Sequence, residues 1–89
     1  MLRRYWLIIY PELPYGPRNF GVSAFSPRQA RLLLMEQLRR LRWNHITSDT
    51  IEKAEIIEDV DLQLLDQNHV VPNMGCVVFL GVWYPNLNA

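Results

Sequence analysis

The chain has 89 residues, enough for one hydrophobic core, and is read as a single domain spanning residues 1–89. Apolar residues at 49% and charged residues at 20% exclude a disordered chain, and nine basic against nine acidic side chains argue against a general polyanion binder. The single cysteine, Cys76, excludes an internal disulfide framework and any multi-cysteine zinc site.

In chain order, residues 2–10 (LRRYWLIIY) are rich in aromatic and β-branched side chains and predict a first strand. The basic start Met1-Leu2-Arg3-Arg4 is followed by an apolar run, Tyr5 to Tyr10, that ends at Pro11. This is shorter than the roughly 7–15 residues of a secretory core, and no stretch approaches the ~18 residues of a membrane span. A cytoplasmic protein without membrane contact is the expectation. Residues 11–19 (PELPYGPRN) hold three prolines and a glycine and predict a loop, and residues 20–25 (FGVSAF) a second strand.

A helix follows over about 27–42. Ser26, Pro27 and Gln29 form a capping box: an N-cap hydroxyl, a proline whose missing N–H costs nothing, and an amide side chain that reaches back. Arg39, Arg40 and Arg42 at its far end complement the helix dipole. Helical spacing puts Ala30, Leu33, Leu34, Gln37, Leu38 and Leu41 on one stripe, the expected core face. Arg28, Arg31, Arg39 and Arg42 share another ridge with Met35.

Residues 43–50 (WNHITSDT) predict a loop, with Trp43 folding back on the core, and residues 51–58 (IEKAEIIE) a third strand. Asp61 is placed to cap a short turn over Leu62 to Asp66, and HVVPNMG a turn around Pro72 and Asn73. Residues 76–84 (CVVFLGVWY) predict the last and most apolar strand, with Cys76 packed as a small hydrophobe. The expected fold is α+β: β-β-α-β-β, a four-stranded, mainly antiparallel sheet with one helix packed on one face.

Both terminal strands are apolar on both faces, whereas a half-wet antiparallel strand alternates apolar with polar. One helix covers one face only. The other face would expose residues drawn from Trp6 or Tyr5 and from Trp83 or Tyr84, and is expected to need a cover: a second copy, the prolyl loop 11–19, or a partner protein, unless the chain's own loop and tails suffice. Charge is also divided along the chain. Residues 1–42 carry eight basic and two acidic side chains, and residues 43–89 one basic and seven acidic. The two halves are suited to neutralise each other within the fold or across a dimer.

Chemistry-bearing residues are few. Asp66 and His69 stand three apart, a spacing that suits an acid–base pair or a partial metal site. Two histidines and one cysteine fall short of an ordinary zinc ligand set, no catalytic signature is present, and no cofactor is implied. His45 has no evident partner. Asn73 and Met74 sit at a turn, where an exposed methionine suits a contact surface.

The tracts GVSAFS-x-x-x-A-x-x-LL, IIEDVD, LDQNHVVPNMG and GVWYPN, over residues 20–34 and 56–86, resemble those of a group of small uncharacterised bacterial proteins. The resemblance implies a bacterial, soluble, stand-alone domain and carries no activity with it. Where that group has an arginine before GVWYP, this chain has Leu80.

The leading expectation is a non-catalytic protein-interaction or binding module, homodimeric through its sheet. Trp6, Trp83 and Tyr84 would form the apolar contact, and His69, Asn73 and Met74 a polar turn. The alternatives are a nucleic-acid-binding domain using Arg28, Arg31, Arg39 and Arg42 on phosphates, and a small enzyme or metal protein using Asp66 and His69.

Overall fold

The computed structural model describes residues 1–10, 18–43, 46–65, 67–68 and 70–85. Its strands are β1 (Arg3–Ile9), β2 (Arg18–Ala24), β3 (Glu55–Glu58) and β4 (Gly81–Tyr84), and its helices α1 (Pro27–Arg40) and α2 (Ser48–Glu52). The strands form one antiparallel sheet in the order β3-β1-β2-β4, as the α+β reading requires. The long central pair registers Arg3 with Ala24 and Ile9 with Arg18, and the two edge strands are short.

The capping signal acts largely as read. Ser26 Oγ accepts from the Gln29 amide at 3.1 Å, while the Gln29 side chain accepts from the Phe25 amide at 2.7 Å, one residue beyond the N-cap. The far end stops two residues short of the expectation. Leu41 is the C-cap, the Arg42 amide donates to the Arg39 carbonyl, and the Trp43 amide donates to the Leu38 carbonyl. This is a Schellman closure, and its left-handed position is held by Arg42 at φ 60° instead of glycine. Leu41 thereby leaves the core stripe and is exposed, while Ala30, Leu34 and Leu38 stay buried. Trp43 does fold back, meeting Phe20 edge-on with ring centroids 6.2 Å apart. Replacing Arg42 with glycine relieves the left-handed strain and is expected to raise stability by about 0.5–1 kcal/mol, read as a higher denaturant midpoint.

The stretch before the third strand, expected to be a loop, holds α2. Thr47 caps it by accepting from the Thr50 amide at 3.3 Å, and Ile51 is its buried residue. The third strand accordingly begins at Glu55, not residue 51. Asp61 does cap a short 3₁₀ turn, Leu62–Leu64, accepting from the Gln63 amide at 2.9 Å. A second 3₁₀ turn covers Val71–Asn73.

The last strand is shorter than its propensity suggests, and pairing explains why. Gly81 sits opposite Ser23, so earlier residues of a longer strand would face Ala24 and Phe25, where β2 ends and the helix cap begins. Gly81 turns the chain away at φ 132°, a conformation that favours glycine. Cys76 thus lies exposed in a loop instead of packing inside a strand.

α1 and α2 lie over one sheet face. Tyr5, Leu7, Ile9, Phe20, Val22 and Ala24 from the central strands meet Ala30, Leu34, Leu38, Ile46, Ile51 and Ala54 in the main core. Tyr5 ends beside the acidic end of β3, and burial, reinforced by Glu58, raises its phenol pKa. Tyr10 Oη donates to Glu55 Oε2 at 3.1 Å, a bond that raises the Tyr10 pKa. No helix among the described residues is long and apolar enough to cross a membrane.

Candidate functional site

The second sheet face decides which surface remains for function. Among the described residues it is covered by the chain's own segment between β3 and β4, while residues 11–17 of the prolyl loop lie outside the described residues. Val60 and Val70 are buried against Trp6 and Trp83, and Leu62, Leu65, Met74 and Val77 pack around them. Trp6 is 6% exposed and Trp83 1%, so neither indole is offered to a partner, and Tyr84 is half-buried. The two indoles expected at an apolar contact are therefore internal, and Tyr84 is partly so. Met74 is half-buried in this second core, not free at a turn, while Asn73 is exposed.

A bulge and a glycine build the aromatic group. Gly21 pairs with Tyr84 and Val22 with Val82, which leaves Trp83 without an opposite residue. Val82 packs on the main core, and both Trp83 and Tyr84 then fall on the second face, where strict alternation would have separated them. Trp6 also pairs with Gly21, so Trp6, Gly21 and Tyr84 form one row across three strands. Trp6 stacks with Tyr84 at a centroid distance of 5.4 Å and lies 5.9 Å from Trp83. The Trp83 ring rests on Gly21: a Cβ there would lie 2.5 Å from its Cη2. Trp83 Nε1 is buried and finds no acceptor among the described residues.

The segment leaving this core is tied down on both sides. Ser23 Oγ donates to the Val77 carbonyl, and the Gly75 amide donates to the Trp83 carbonyl. Between these anchors and β4, Val78, Phe79 and Leu80 project at 67%, 69% and 50% exposure. Phe79 and Leu80 form one wall of a groove of about 490 Å³, and Leu33, Glu36, Gln37 and Arg40 of α1 form the other.

The arginine ridge is not continuous. Arg31 donates to the Ala54 carbonyl at 2.8 Å, satisfying backbone just past α2. Arg42 lies beyond the helix. Arg28 and Arg39 remain exposed on α1, and Glu52 lies beside Arg28 and Arg31. Across the charge-divided halves, Arg3 reaches Glu58 and Asp59, each at 3.6 Å; the other described ion pair, Lys53–Asp49, lies within α2 and its cap.

Asp66, His69 and His45 lie outside the described residues, and the acid–base or metal reading rests on the first two. Among the described residues no group of three His, Cys, Asp or Glu side chains could hold a metal ion. No family model, curated protein or solved structure matches this chain.

Proposed function

We propose that the protein is a non-catalytic interaction module whose contact surface is the loop Val78–Leu80 with the adjoining groove, not the indole face of the sheet. The carrying observation is three consecutive large apolar side chains, each at least half exposed, on a loop anchored by Ser23 and by the Gly75–Trp83 bond. Leaving such side chains in water forgoes roughly 1.5–3 kcal/mol apiece when a buried site is possible. Contiguous exposed apolar groups mark contact surfaces, and an aromatic at the centre is the usual anchor of one. The anchors matter because a loop already held in its bound shape loses little conformational entropy on docking.

A photo-reactive phenylalanine analogue at position 79, with the same group at exposed Lys53 as control, tests the reading in cells. A discrete cross-linked protein product at position 79 and none at 53 is expected. Equal, diffuse labelling at both positions would refute it.

A further inference from the structure

We infer that the occupant of the groove is a second copy of this chain, docked across a two-fold axis with the two α1 helices antiparallel. The inference rests on the interaction-module reading and names its partner. Its basis is a charge pattern on the helical wall. Glu36 is the sole acidic residue of α1, and Arg40 stands one turn later. The i, i+4 spacing permits an ion pair between them. Yet both are exposed, and among the described residues neither takes part in an ion pair.

A two-fold axis passing between Glu36 and Arg40 on the exposed side of α1 sets Glu36 of one copy against Arg40 of the other, and the reverse pair forms by symmetry. An isologous interface needs a patch complementary to itself, and opposite charges disposed about one point provide it. The groove is lined by Phe79 and Leu80 beside these charges, so apolar and charged contacts close together. A net charge of zero removes general repulsion between copies.

The sheet edges are poorer routes to the same end. Antiparallel pairing of β3 with its own copy sets Glu55 against Glu58, like charges directly opposite. The outer edge of β4 is partly occupied, since the Gly75 amide already takes the Trp83 carbonyl.

Sedimentation equilibrium on the purified full chain, from about 10 µM to about 1 mM, covers the range of a small interface. The wild-type chain is expected to dimerise. Glu36→Arg and Arg40→Glu, each placing like charges opposite across the axis, are expected to weaken the dimer about tenfold. The double variant E36R/R40E restores both pairs in swapped order and is expected to return within about threefold of wild type. Far-UV circular dichroism checks that these surface variants stay folded. A wild-type chain that remains monomeric throughout overturns the inference, and so does a double variant no better than the single ones. If position 79 then cross-links a different protein, the second copy fails and the interaction module stands; if it cross-links nothing, both fall.

Discussion

Replacing Trp6 with alanine is expected to remove about 3–5 kcal/mol of unfolding free energy, the range for emptying a large aromatic site in a core. A domain of this size holds roughly 5–15 kcal/mol in total, so the variant keeps only a fraction of its stability. The loss is large because Trp6 holds two things together. It stacks on Tyr84 and lies against Trp83, and it belongs to the cluster that seats Val60 and Val70. Without it the covering segment loses its main contact with the central strand. Trp83→Ala is expected to cost less than its deeper burial suggests, because that change also removes an indole N–H with no acceptor among the described residues, a liability of about 1–3 kcal/mol. Urea unfolding measures both, and the near-UV circular dichroism of Trp6→Ala should lose most of its aromatic signal while the far-UV spectrum persists.

Gly21→Ala is expected to cost about 1–3 kcal/mol through overpacking, an unusual penalty for adding one methyl group to a strand. Alanine ordinarily improves on a strand glycine. Here the new Cβ would lie 2.5–2.6 Å from three carbons of the Trp83 ring, and Trp6 and Tyr84 leave that ring little room to retreat. Gly81→Ala serves as a contrast. Nothing lies within 4 Å of its added Cβ, so any cost there comes from the positive φ alone. The steric account requires coupling: in a Trp83→Leu background, Gly21→Ala should cost at least about 1 kcal/mol less than it does alone. Equal costs in the two backgrounds would refute the account.

Much of the fold was legible because its signals are local. Ser26, Pro27 and Gln29 specify where α1 begins whatever surrounds them, and the two-sided apolar pattern of residues 2–10 belongs to a strand covered on both faces, although the same pattern over 76–84 supplies an edge strand. The covering segment was not legible. Val60, Leu62, Leu65, Val70, Met74 and Val77 follow neither a helical nor a strand period, and they are interleaved with acids and amides. Only the presence of an uncovered sheet face gives that spacing meaning. The same holds for the end of the last strand. Cys76 to Leu80 have high strand propensity, but beyond Ser23 β2 has only Ala24 left to pair with them. Propensity is local and pairing is not, so the chain leaves Phe79 in water. The bulge that gathers Trp83 and Tyr84 on one face breaks the alternation on which a face assignment depends, and Gly21, the residue that allows it, carries no side chain to announce its role.

Trp43→Phe leaves Trp6 and Trp83 as the only indoles, and acrylamide quenching of their fluorescence tests directly whether one chain shields its own second sheet face. Strong protection is expected, several-fold below free indole and unchanged on dilution through any self-association. Quenching that nears the free-indole rate in dilute solution, and recedes as the concentration rises, would contradict it and return the sheet face to the intermolecular contact.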